Sequence, residues 1–110
     1  MKYYILIYTE KLPEWVGARA NGPVIRMRPK YKDDKGILEH EKCHVRQWYM
    51  TLGLHGVIKK FSKKYALKIE VDAYRIQLKY SPTDLDWFAK ALSERYGLGI
   101  SVAEAKALLK

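Results

Sequence analysis

The sequence predicts a single α+β domain, with a small three-stranded, mainly antiparallel sheet in the first third of the chain packed on helices that form the rest. Two observations carry this. Up to Pro29 the chain consists of short runs rich in tyrosine, isoleucine and valine, interrupted by Pro13 and by the turn Asn21-Gly22-Pro23. From Asp33 onward apolar residues recur every three or four positions instead. A chain of 110 residues, 48% hydrophobic and 30% charged, holds one core and little else.

Residues 2–9 read as a largely buried strand, Trp15 to Ala20 as a second, and Val24 to Arg28 as a third that ends at Pro29. Their short connections favour antiparallel pairing. Asp33 and Asp34 can cap a helix from about Gly36 to Leu52, where Gly53 stops it, with Ile37, Val45, Trp48 and Leu52 along one stripe. A shorter helix is expected from His55 to Lys64, and another from about Ala66 to Tyr80 with Ile69, Ala73, Ile76 and Tyr80 on one face. Ser81-Pro82-Thr83-Asp84 opens a helix ending near Gly97, on which Trp87 and Phe88, like Trp48 earlier, fall at core positions. Ser101-Val102-Ala103-Glu104 opens a last short helix with little core of its own, after the loose joint Gly97-Leu98-Gly99. No internal repeat, linker or low-complexity segment is present.

The single cysteine, Cys43, excludes an internal disulfide and suits a reducing compartment. The apolar run near Met1 is too short for a signal peptide and no segment reaches membrane-spanning length, so a cytoplasmic protein is expected. A net charge of +9 admits nucleic acid or an anionic membrane surface as partners. The densest basic cluster, Lys59-Lys60-Phe61-Ser62-Lys63-Lys64, falls at helical spacing and reads either as a solvated helix face or as a strip for a polyanion.

The strongest chemical signal is His40-Glu41-Lys42-Cys43-His44. Histidines four apart on a helix are offset by about 40°, so both imidazoles can reach one metal ion. Glu41 lies roughly 80° from their midline, beside the ion and not on it. A carboxylate there can take a proton from a metal-held water and deliver it to a leaving amine, while zinc lowers the water's pKa and polarises the scissile carbonyl. A third protein ligand is still needed. The long pattern with glycine and a third histidine fails, because Gln47 and Met50 stand at those places. His55 lies beyond the Gly53 stop and reads as a loop or cap residue. A carboxylate on a later helix remains, with Glu70 and Asp72 as candidates.

His40-Glu41-x-x-His44 followed by Glu70-Val71-Asp72-Ala73-Tyr74 resembles the gluzincins, zinc peptidases with a glutamate third ligand on a second helix. The likeness is greatest to the minigluzincins, small soluble archaeal proteins similar to the catalytic core of certain integral-membrane metallopeptidases. It extends over Gly22 to Pro29, over Leu38 to Trp48, and resumes at Glu70, Ala73, Tyr74 and Arg75. The resemblance implies a minimal zincin-like domain with His40, His44 and Glu70 as ligands of one zinc ion and Glu41 as the catalytic base. It also implies a peptide or protein substrate. Membrane relatives carry an aspartate four residues after the ligand glutamate, as a hydrogen-bond partner for a histidine. Tyr74 stands there in this chain, so its hydroxyl or the Asp72 carboxylate would have to substitute.

Cys43 reads as a small buried residue, and Tyr65, Tyr74, Arg75 and Tyr80 are candidates for a hydrogen-bond donor to a developing oxyanion. The segment from Trp15 to Asn21 can serve as an edge strand to which a peptide substrate adds. By the same resemblance the tail, residues 100–110, can be a latency segment that blocks the cleft, between two copies in a homo-oligomer. The expected activity is zinc-dependent peptide hydrolysis, and the rival from another class is a catalytically silent, zinc-stabilised binding protein for nucleic acid.

Overall fold

A computed structural model of the chain describes residues 3–110, so Lys2, the first residue of the expected opening strand, lies outside the described residues. Among them the fold is α+β. Three short strands, β1 (Ile5–Tyr8), β2 (Ala18–Asn21) and β3 (Val24–Met27), precede five α-helices. These are α1 (Lys35–Met50), α2 (His55–Phe61), α3 (Lys63–Tyr80), α4 (Leu85–Arg95) and α5 (Val102–Leu109).

The sheet corrects the expectation of mainly antiparallel pairing. Its order is β1-β3-β2, with β2 antiparallel to β3 and β1 parallel to it. The β2–β3 hairpin turns at Gly22, whose φ of +60° a residue with a side chain rarely adopts, and so occupies one edge of β3. Residues 9–17 are long enough to arch over the end of β3, which puts β1 on its other edge in the same direction. The register sets Tyr8, Met27 and Ala18 side by side at the foot of that arch.

Arg28 fills the arch. Its Nε donates to the Val16 carbonyl at 2.9 Å, and its Nη2 to those of Leu12 and Pro13 at 3.0 and 2.9 Å. Its Nη1 donates to Glu10 at both the carbonyl, 3.3 Å, and Oε1, 2.9 Å. Only a guanidinium offers a rigid fork of this many donors. Arg28→Ala is therefore expected to lower stability by about 2–4 kcal/mol, with Arg28→Lys recovering only part, as read from the midpoint of denaturant unfolding. A loss below about 0.5 kcal/mol would mean the arch holds without its plug.

β1 is largely exposed, not buried, because it is an edge strand that α1 does not cover; Ile5, Ile7 and Tyr8 all face solvent. β2 begins at Ala18, so Trp15 lies in the arch and not in the strand. Inside, Ile25, Met27 and Val45 are buried where β3 meets α1, and Ile69 and Ala73 where α3 packs on α1.

Asp34 caps α1 by accepting from the Ile37 amide at 3.1 Å. The helix ends at Met50, because Leu52 and Gly53 take φ of 53° and 86° and the Gly53 amide turns back to the Trp48 carbonyl. Leu52 is thereby removed from the expected stripe and points outward. The helix expected from His55 to Lys64 is broken at Ser62, which ends α2 and caps α3, accepting from the Tyr65 amide. Of the three aromatic residues expected in the core, only Phe88 is buried. Trp48 is half-buried against Gly22 and Gly53, and Trp87, one position from Phe88 and so turned about 100° from it, is 62% exposed.

The tail has more core than its sequence suggests. Ser101 and Glu104 form a reciprocal capping box at the start of α5. Ala105 and Leu109 are buried in one cluster with Tyr74, Phe88, Ala89, Ala91 and Leu92.

Candidate metal centre

The packing of α3 against α1 brings one carboxylate to the paired histidines. His40 and His44 lie one turn apart on α1, and Glu70 Oε1 is 3.6 Å from the His40 Nε2 and 3.1 Å from the His44 Nε2. The three ligand atoms all fall within 4.8 Å of one another. Donors held 2.0–2.2 Å from a tetrahedral ion such as zinc stand roughly 3.3–3.6 Å apart, so small adjustments bring this set to coordination distance. His40 and Glu70 are buried, and two imidazoles with a carboxylate are a donor set suited to a divalent metal ion.

Asp72, the other candidate, faces away and pairs with Lys68 Nζ at 3.1 Å on the exposed side of α3. Glu41 is buried in the wall of the same cleft and lies outside the three-residue cluster. Cys43 is buried, as expected for a packing residue; desolvation raises its thiol pKa, and it is not part of the cluster.

The surroundings of the two histidines differ. His44 Nδ1 lies 2.8 Å from Gln47 Oε1, while the Gln47 amide nitrogen donates to the Ile69 carbonyl at 3.2 Å. With its nitrogen so committed, the amide turns its oxygen to the ring, Nδ1 carries a hydrogen, and Nε2 is directed at Glu70. His40 lacks such support. Its Nδ1 is buried without a hydrogen-bond partner, and its ring meets Tyr74 edge-on at 4.5 Å. Neither substitute expected from the sequence reaches it, because the Tyr74 hydroxyl bonds that of Tyr96 at 2.8 Å and Asp72 is on the surface. Gln47→Leu is accordingly expected to weaken metal affinity by about 10–100-fold in a competition titration with a chromogenic chelator. An unchanged affinity would show that Gln47 does not orient His44.

Without a metal, His44 and Glu70 form a buried imidazolium–carboxylate pair. Burial alone would lower the His44 pKa, but the Glu70 carboxylate, helped by Glu41 and Gln47, pushes it up to about 9 from 6.5. Burial would raise the Glu70 pKa, and the two histidines instead hold it well below the usual carboxylate range. A raised histidine pKa stabilises the fold below 6.5 and loses that contribution as pH climbs through about 9. A depressed carboxylate stabilises above its ordinary 4.5 and loses that contribution as pH falls. Chelator-treated protein should therefore melt highest between these ordinary values and lose stability toward alkaline pH. Glu70→Gln should abolish the alkaline decline in thermal melts; a decline of equal size in both proteins would contradict the pairing.

The centre opens on a cleft of about 910 Å³. β2, whose outer edge is unpaired among the described residues, lines one side, and Trp15, Trp87 and Arg95 stand around it. His55 does more than cap: it opens α2, lines the cleft, places its ring 6.0 Å from that of His44, and has Nδ1 3.0 Å from the Tyr65 hydroxyl. Of the oxyanion donors suggested by sequence, only Tyr74 lines the cleft directly; Tyr65 reaches it through His55, and Arg75 and Tyr80 do not line it. Tyr96, Arg95 and Gln47 were not foreseen for the site. Only Gln47 had a readable signal, three residues after His44 on the same helix face. The last residue of the chain to line the cleft is Tyr96.

Comparisons with protein-family models, with curated proteins and with solved structures find no match. What the centre can do follows from its donor set and from the carboxylate beside it.

Proposed function

We propose that this chain is a zinc-dependent metallopeptidase of the gluzincin kind, similar to the minigluzincins. The observation that carries the reading is the convergence of His40, His44 and Glu70 on one point, with Glu41 next to them in the wall of a substrate-sized cleft. A structural zinc site takes four protein ligands, and three leave a place for solvent.

His40, His44 and Glu70 would hold the ion, and a bound zinc supplies Lewis acidity to a water molecule and to the scissile carbonyl. The chain's own groups do the rest. A peptide laid along the free edge of β2 is held extended, with its backbone hydrogen bonds fixing which carbonyl lies beside Glu41. Glu41 takes a proton from the attacking water as the new C–O bond forms at the carbonyl carbon. It returns that proton to the amide nitrogen as the C–N bond breaks, and the water's second proton passes from the new carboxyl group to the amine, leaving a carboxylate and an ammonium group. No covalent enzyme intermediate is required.

The test is hydrolysis of a mixed library of internally quenched peptides by the full-length chain, before and after chelation and after zinc is restored. Cleavage that vanishes on chelation and returns with zinc is the expected result. No cleavage by protein shown to contain one zinc would refute the peptidase reading while leaving the metal centre standing.

A further inference from the structure

The most exposed large apolar residues among those described lie close together along the chain, at the end of α1 and along α2. Leu52 is 91% exposed, Met50 84% and Phe61 80%, and Leu54 and Val57 are also exposed. On α2 and its cap, Leu54, Val57 and Phe61 fall at i, i+3 and i+7, within about 60° of one another around the helix axis. All three are exposed, while Ile58, about 40° from Leu54 around the axis, is half-buried and marks the edge of the stripe. Leu52 extends the patch and holds a left-handed φ of 53° that a leucine adopts at a cost and a glycine or asparagine would not.

The charge around this patch has one sign. Between Glu41 and Glu70 the sequence contains no aspartate or glutamate; Lys60, Lys63 and Lys64 lie within three residues of Phe61 and are exposed, while Lys59 is about 160° from Phe61 around α2. A nucleic-acid surface would use the lysines and gain nothing from outward leucines and a phenylalanine. A protein partner would need its own acidic rim, of which nothing in this chain speaks. An anionic bilayer matches both features, since apolar side chains enter the headgroup boundary while the surrounding lysines meet lipid phosphates and carboxylates.

We propose that the α1–α2 corner docks on anionic membrane surfaces, with Leu52, Leu54, Val57 and Phe61 inserted and Lys60, Lys63 and Lys64 against the headgroups. The attachment is peripheral, as no helix among the described residues is long and apolar enough to cross a membrane. Gly53, His55, Gly56, Val57 and Lys59 also line the cleft, so docking would bring its rim to the lipid surface. The proposal does not depend on the metal or on catalysis.

Sedimentation of the full-length chain with vesicles tests it, using phosphatidylcholine alone and phosphatidylcholine with about one-third phosphatidylserine. Binding is expected to the mixed vesicles and to be weak on phosphatidylcholine. Leu52→Asn combined with Phe61→Ser should lower partitioning by about tenfold or more at unchanged charge. Lys60→Gln combined with Lys63→Gln should lower it by roughly fivefold per lysine and flatten its salt dependence. All four side chains are exposed, and far-ultraviolet circular dichroism checks that the variants fold. Three results would overturn the proposal: no binding to the mixed vesicles, binding that Leu52→Asn with Phe61→Ser leaves unchanged, or tighter binding to an oligonucleotide than to the vesicles. The second would reduce the corner to a charge patch, and the third would reassign it to nucleic acid.

Discussion

Glu41→Gln is expected to retain a full equivalent of zinc and to lose peptide hydrolysis by a factor between about a hundred and ten thousand. The expectation rests on where Glu41 stands. It is adjacent to His40 in sequence yet outside the His40–His44–Glu70 cluster, so the donor set survives the change. Glutamine keeps the shape and fills the same buried volume, but its amide has no basic oxygen able to take the water's proton at neutral pH. The deficit should therefore fall on kcat with little change in KM. A silent zinc-stabilised binding protein would be indifferent to the substitution. If Glu41→Gln hydrolysed peptides as fast as the parent, proton transfer would have to be assigned elsewhere, and His55 is the remaining titratable cleft group close to His44.

The second large effect separates the two carboxylates of α3. Glu70→Ala removes one of three donors and leaves two imidazoles, that of His40 buried, facing an empty volume. Zinc affinity is expected to fall on the order of a thousandfold, consistent with a total binding free energy shared among a few ligands. Asp72→Ala should leave affinity unchanged, because that carboxylate is paired with Lys68 on the exposed face and contributes a surface contact of little worth. Competition against a chelator of known affinity reads both. A loss confined to Asp72→Ala would move the ligand assignment by two residues and require α3 to turn about its axis.

Helix α1 was legible because every feature that defines it is local: Asp34 at the cap, histidines one turn apart, and Gly53 beyond the end. From the residues alone Glu70 was legible only as one of two carboxylates, and it was the resemblance to the gluzincins that selected it. Choosing it over Asp72 needs the rotation of α3 against α1, which two nearby positions on one amphipathic helix do not disclose. Non-local pairing defeated the strand reading. β1 is parallel to β3 because Arg28 can hold an arch over the end of β3, and nothing in the residues of β1 itself signals a partner nineteen positions away. Trp87 and Phe88 were read alike because both are large and apolar, yet adjacent helical positions differ by about 100° and only one can face the core. Leu52 was misread for a related reason. Apolar spacing continued past the helix, while the backbone had already reversed into the left-handed turn that throws its side chain outward.

The coordination itself is tested most directly by titrating zinc into chelator-stripped full-length protein in a calorimeter, beside Glu70→Ala. A single site with one zinc per chain, tight in the parent and lost in the variant, is the expected result. Absence of saturable binding in the parent, or binding of equal strength in both proteins, would contradict a shared ion at His40, His44 and Glu70.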